Sequence, residues 1–193
     1  MSSTLSTKFI KLKRKGLSLI FHFDKWHISP LSERPYAFDI IKFCNNYTHK
    51  NSIVEIGCGL GDIVRNVDFI IRTGYDSELN VLKAAKFLTR DKPSQTTLFL
   101  PFKFPGSTLK DRCDILIMVN WIHLIEPSVL RTKLHEYFEA NLEPAGCLII
   151  DTVQDREYKY NHNISFLADG LKCRTEKIGA YKREREVWAI HKL

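Results

Sequence analysis

Three glycines at alternate positions, Gly57, Gly59 and Gly61, follow the apolar run Ser52-Ile53-Val54-Glu55-Ile56, and Asp76 stands nineteen positions after Gly57. Open α/β sheets bind small molecules at the carboxyl ends of their strands, and a glycine-rich turn there lets backbone approach a ligand closely. The dinucleotide fingerprint GxGxxG would need a glycine at position 62, where the chain has Asp62, so pyrophosphate binding is disfavoured. A carboxylate at the start of a helix also opposes an anionic group at that end, which favours a ligand carrying an amine or other positive group. Asp76 falls close to the roughly 20-residue offset at which an acidic side chain meets ribose hydroxyls. A carboxylate can accept two hydrogen bonds from a vicinal diol. Capping of a following helix explains the same residue, and the two roles can coexist. Together these residues imply a nucleoside ligand without a pyrophosphate. Glu55 lies inside the apolar strand, where an unpaired carboxylate is costly.

Two of the seven histidines suit acid–base chemistry at neutral pH. His123 follows a strong strand signal in Asn120-Trp121-Ile122-His123, where packing at a strand–helix junction is the rival explanation. His27, in Phe23-Asp24-Lys25-Trp26-His27, has a surface position as its rival. Arg34 and Tyr36 are further candidates for a cofactor carboxylate or a substrate, with Trp26 beside them, against the readings of a solvated arginine and a core tyrosine. Cys58, inside the glycine turn, reads best as a small packed thiol. The five cysteines are odd in number and contain no CxxC pair, so neither a disulfide framework nor a zinc site is expected. No metal is expected at all.

The elements that would position these groups alternate. Residues 33–50 show helical spacing at Ala37, Ile40, Ile41 and Cys44. A strand over 52–56 is followed by the glycine turn and by a helix from Asp62 onward. Then come a strand over 70–76, a helix over 77–88, a strand over 96–102 weakened by Pro101, and the buried run Asp114–Val119. A helix over about 127–141, a turn over 142–146, a strand over 147–153 and an antiparallel hairpin from 171–178 and 186–192 complete the pattern. The expected fold is α/β: a Rossmann-like, doubly wound, mostly parallel seven-stranded sheet with a C-terminal antiparallel hairpin and helices on both faces.

Val54-Glu55-Ile56-Gly57-Cys58-Gly59-Leu60-Gly61, Gly74-Tyr75-Asp76, Asp114–Val119 and Leu142-Glu143-Pro144-Ala145-Gly146-Cys147-Leu148-Ile149-Ile150 resemble, in order and spacing, the successive signatures of class I S-adenosylmethionine-dependent methyltransferases. The resemblance implies S-adenosyl-L-methionine as cofactor. It implies that Glu55 and the backbone of Gly57, Cys58, Gly59 and Gly61 face the methionine part, that Asp76 and Ser77 meet the ribose, and that Pro101 and Phe102 flank the adenine. Asn120 and Trp121 would line the pocket past the fourth strand. The family often has an acidic residue after its third strand for the adenine amine, and Leu100-Pro101-Phe102-Lys103 offers none, which leaves backbone or stacking contacts. Asn120-Trp121-Ile122-His123 also lacks the Asn/Asp-Pro-Pro-aromatic motif of the enzymes that methylate exocyclic amines of bases. The segment Lys25-Trp26-His27-Ile28-Ser29 resembles small methyltransferases of bacterial surface-polysaccharide biosynthesis. The expected reaction is O-methylation, less readily N-methylation, of a small molecule such as a sugar or activated sugar, with His123 or His27 as base. The alternatives are an RNA methyltransferase or a non-catalytic partner subunit of the same fold.

Length and charge frame this reading. The chain has 193 residues, 44% of them apolar, and a formal net charge of +7, which fits one globular domain and excludes disordered or collagen-like chains. Residues 1–50 hold nine Lys/Arg and three Asp/Glu, and residues 51–193 hold twenty and nineteen, so +6 of the +7 lies in the first quarter. A basic segment over 1–50 covering the active site, and a catalytic domain over 51–193, are therefore expected. The basic segment can steer an anionic acceptor, touch an anionic membrane, contact RNA or simply dock on the domain; nucleic acid is the least favoured partner. Its apolar run is too short for a signal peptide, no stretch reaches the roughly 20 apolar residues of a membrane span, and a cytoplasmic location is expected from the cysteine usage.

Overall fold

The computed structural model describes residues 2–89 and 97–193. Seven strands form one sheet: β1 Ser52–Ile56, β2 Ile71–Asp76, β3 Thr97–Pro101, β4 Cys113–Met118, β5 Leu142–Thr152, β6 Cys173–Tyr181 and β7 Arg185–Lys192. Their order is β3-β2-β1-β4-β5-β7-β6. The first five run parallel, and β7 pairs antiparallel with both β5 and β6. This is the doubly wound sheet and terminal hairpin that the strand pattern predicts. The expected third strand began at Thr96, which lies outside the described residues.

Every residue of β4 is buried, as a central strand covered on both faces requires. One face carries Ile53, Ile115, Ile117, Cys147, Ile149, Val187 and Ala189 beneath helix α2, Pro35–Asn45, through Ala37, Ile40 and Cys44. The other carries Ile56, Leu116, Met118, Leu148, Ile150 and Ile190 beneath helix α4, Pro127–Asn141, through Leu130, Leu134, Tyr137 and Phe138. Both helices start at a proline, whose fixed φ suits a first turn where its missing N–H costs nothing. The Glu126 carboxylate caps α4 by accepting the Val129 N–H at 3.0 Å. Helix α3, Leu79–Thr89, turns Leu82 and Ala85 to the sheet and Val81 and Ala84 outward. Those outward residues meet Leu17 and Phe23 from the N-terminal region.

Four expectations change. The chain begins with a helix, α1 Ser2–Phe21, which the sequence reading did not assign. The helix expected from Asp62 is absent, and residues 60–67 form successive turns. Length explains it: the five residues of β1 span about 17 Å, and an α-helix needs about eleven residues to return that far. Only residues 62–70 are available before β2. The helix expected over 33–50 is confined to 35–45. The turn expected at 142–146 is instead the irregular start of β5, where pairing passes from Cys113–Leu142 to Ile115–Cys147 and Ala145 has a φ of 59°.

Candidate active site at the switch point of the sheet

Strand order reverses between β1 and β4, so the glycine turn after β1 and Asn120-Trp121 after β4 share the carboxyl edge where such sheets bind ligands. Gly57, Gly59 and Gly61 all have positive φ, at 75°, 55° and 73°. Gly57 and Gly59 are also sites of close approach. A Cβ at Gly57 would overlap the Trp121 indole, and one at Gly59 would lie 2.8 Å from His27 Nδ1. Either substitution combines left-handed strain with steric overlap.

The turn is held from beneath. The N–H groups of Gly57 and Cys58 both donate to the Tyr75 carbonyl, at 2.8 and 2.9 Å, and that of Gly61 donates to the Cys58 carbonyl at 2.8 Å. Gly59 N–H donates to Asp76 Oδ2 at 2.8 Å, and Val64 N–H donates to Glu55 Oε2 at 3.0 Å. A phosphate-binding loop presents such donors to its ligand; here four N–H groups of the turn are committed to the protein. That agrees with a ligand lacking a pyrophosphate. Asp76 Oδ1 accepts the Glu78 N–H at 3.0 Å, so each carboxylate oxygen keeps an acceptor site for a hydroxyl. Glu55 is fully enclosed; burial, the largest influence, raises its pKa to about 8 against the Val64 N–H.

Asp62 does not project its charge as the sequence reading supposed. Its carboxylate is buried and meets three guanidiniums: Arg14 at 2.7 Å, Arg65 at 2.6 Å, and Arg34. Burial opposes ionisation, but Arg34, Arg14 and Arg65 outweigh it and hold the pKa at about 2. The surroundings are thus net positive. Arg34 Nε is buried with no hydrogen-bond partner among the described residues. Tyr36, also buried, lies beneath the Arg185 guanidinium, 4.9 Å from its ring centre.

Past β4, Asn120 has a φ of 71°, a left-handed conformation that asparagine adopts more readily than most residues. Its N–H donates to Asp151 Oδ1 at 2.8 Å, and Asp151 Oδ2 accepts from Arg185. Trp121 Nε1 donates to the Ile56 carbonyl at 2.7 Å and so ties the ends of β1 and β4 together. The His123 ring is buried against Tyr158, 3.9 Å between centroids. Its Nδ1 is enclosed without a partner among the described residues. Burial, then the charges of Arg185 and His162, lowers its pKa to about 4, so at neutral pH the ring is uncharged.

The structure therefore gathers Gly57, Gly59, Gly61, Asp76, His27, Trp121 and Arg34 around one turn, with Asn120 and Tyr36 on the adjoining Asp151–Arg185 pair. Others lie beside it or elsewhere. The Cys58 thiol packs into the core, where a Cβ on Gly74 would meet its Sγ at 2.8 Å. Pro101 pairs with Asp76, Phe102 N–H donates to the Asp76 carbonyl at 2.9 Å and Ser77 follows Asp76, so these three stay beside the site, with the Phe102 ring buried against Tyr75 at 5.1 Å and Pro101 and Ser77 exposed. Trp26 is 88% exposed and points to solvent. Arg14, Arg65, Asp151 and Arg185 were not singled out as site residues. Only the basic bias of residues 1–50, set against an aspartate beside Gly61, hinted at the first of them.

Neither a protein-family model nor a curated protein sequence matches the chain. Solved structures do. NodS, an N-methyltransferase from Bradyrhizobium japonicum WM9 in complex with S-adenosyl-L-homocysteine, superposes with a TM-score of 0.70 over 92% of this chain and 97% of that one, at 13% identity. The chain has the methyltransferase fold. A S-adenosylmethionine-dependent methyltransferase from Clostridium acetobutylicum ATCC 824 shares that fold with a TM-score of 0.66 at 13% identity, over 95% and 98% of the two chains. CalS10, an amino pentose methyltransferase from Micromonospora echinaspora solved with S-adenosylmethionine bound, gives 0.66 at 10% identity over 93% and 96%. At these identities the likeness is one of fold, and the methyltransferase fold here includes the full sheet and both layers of helices. Among the described residues no helix is long and apolar enough to cross a membrane, and no cluster of ligating side chains could hold a metal ion.

Proposed function

We propose that the chain is a S-adenosylmethionine-dependent methyltransferase acting on a small molecule, a sugar or its activated derivative, at an oxygen. The observation that carries this reading is the left-handed glycine turn whose N–H groups are tied inward and whose Gly59 rests on the Asp76 carboxylate. Such a turn suits a nucleoside without a pyrophosphate. When bound, the cofactor supplies a methyl group activated on a sulfonium. Asp76 would take the ribose hydroxyls with its remaining acceptor sites. Arg34, with its unpartnered Nε and net positive surroundings, would hold the methionine carboxylate.

Much of methyl transfer is proximity and orientation, and the bordering rings of Trp121 and His27 would provide it. Of the two histidines, His27 takes the base role for a hydroxyl acceptor because it stands over the turn. His123, enclosed behind Tyr158, supports the wall of the site. Residues 1–50 contribute His27, Arg34 and Tyr36, so this segment would choose the acceptor. NodS is an N-methyltransferase, which adds a nitrogen as a second acceptor, one that needs no protein base once it is unprotonated.

Titration calorimetry with S-adenosylmethionine and S-adenosylhomocysteine tests the cofactor. Both are expected to bind, and Asp76→Ala is expected to weaken them at least about tenfold. No heat from either at millimolar concentration would end the proposal. A radiolabelled methyl-transfer screen over nucleotide sugars, amino sugars and bulk RNA then tests the acceptor. Activity on RNA that falls steeply with salt would replace the sugar reading. A second reading, a non-catalytic partner subunit, draws on the Trp121 and His27 rings already standing over the turn. Cofactor binding with no acceptor methylated until another chain is added would favour it.

A further inference from the structure

Among the described residues the outer face of α1 has no partner. Phe9, Leu12, Gly16, Leu19 and Ile20 recur at i, i+3, i+7, i+10 and i+11 and so share one stripe. The four large side chains are 70%, 68%, 77% and 69% exposed. Lys8, Lys11 and Lys15 run along one flank of the stripe at i, i+3 and i+7, and Lys13 borders the other. Neither Asp nor Glu occurs in the helix. Of these lysines only Lys11 has an ion pair among the described residues, with Glu33. The opposite face is the docked one: Leu17 is buried against Val81 and Ala84 of α3, and Arg14 reaches Asp62, His27 O and Ser29 O. The exposed Trp26 follows directly in the 3-10 turn Lys25–Ile28.

We propose that the outer face of α1, with Trp26, docks the protein in the plane of an anionic membrane surface. The chemistry selects this occupant. An apolar stripe flanked by lysines, on a helix with no acidic residue, lets the stripe enter the acyl boundary while the ammonium groups meet lipid phosphates, and tryptophan is favoured at that depth. A second copy would set one lysine-rich helix against another. An RNA backbone would leave the stripe in water. The inference does not depend on the reaction proposed above.

Co-sedimentation of the full chain with phosphatidylcholine vesicles, and with vesicles containing an added fraction of phosphatidylglycerol, tests it. Binding is expected to the anionic vesicles, to weaken with salt, and to blue-shift tryptophan emission in a way that Trp26→Phe removes. Leu12→Ser/Leu19→Ser/Ile20→Ser is expected to lower partitioning about a hundredfold or more. Lys13→Ala and Lys15→Ala should each lower it about fivefold. These residues point outward, so the variants should keep the parent's circular dichroism and melting, and activity on a soluble acceptor reports the site separately. No binding of the parent to anionic vesicles overturns the proposal. So does concentration-dependent dimerisation abolished by the triple variant, or equal binding by parent and triple variant.

Discussion

The two halves of the carboxyl edge are built in opposite ways. On the β1–β2 side, the turn's N–H groups find internal acceptors in Tyr75, Asp76 and Cys58, and Asp62 is enclosed by three arginines. On the β4–β5 side, Asn120 sits at a positive φ, and the buried Nδ1 atoms of His123 and His162 have no partner. Apart from Arg34 Nε, which the proposed cofactor's carboxylate would take, the first half is a satisfied floor and the second a less satisfied wall, as suits a two-substrate site in which a constant cofactor meets a rigid surface and a particular acceptor meets the other half.

The largest effect expected is from Asp62→Ala on the rigid side. It leaves three guanidiniums facing one another, and loss of one partner from such a buried group costs about 3–5 kcal/mol. A melting temperature within a degree or two of the parent's would show that this side is not held by the cluster. Glu55→Gln comes next. Because folding raises the carboxyl pKa from 4.5 to about 8, the folded state keeps a proton that the unfolded chain releases. The parent should therefore lose stability as pH rises from about 4.5 to 8, by an amount on the order of a few kcal/mol. The glutamine variant keeps an acceptor for Val64 N–H and should flatten that slope in urea titrations. Parallel slopes would mean that Glu55 is ionised in the fold.

The smallest effect separates the two histidines. His123 is already neutral well above its pKa of about 4, so His123→Ala should leave the pH profile of kcat unmoved between about pH 6 and 8, while KM for the acceptor rises. His27→Ala should lower kcat by about 10²-fold or more with a hydroxyl acceptor and far less with an amine. The reverse pattern would move the base to the β4 side.

How much of this was legible in the sequence follows the same division. Strand runs such as Asp114–Val119, and the spacing of the glycines from Asp76, are local and were readable. The crossover after Gly61 is not legible from residue types alone, because its conformation is set by how few residues are available for the distance to be covered. Arg14 and Asp62 are 48 positions apart, and Asp151 and Arg185 are 34 apart; no local pattern announces such pairs. His123 was placed by its position after β4, but the ring's direction depends on Tyr158, which arrives from the segment after β5. α1 lacks a clear amphipathic signature because only its docked face, chiefly Arg14 and Leu17, meets the protein, while lysines and apolar residues share the rest.

The brevity of the β1–β2 crossover has an evolutionary consequence. Residues 62–70 return the chain beside a five-residue strand without room for a helix, while Ile63, Val64, Val67 and Phe69 also fill the core. Losing one residue there would drag Ile71 out of step with Ser52 and move Asp76 relative to Gly59. In lineages descended from this chain, length changes should accumulate elsewhere, and this stretch should keep its count together with the aspartate at 62 and the apolar residues at 63, 64, 67 and 69.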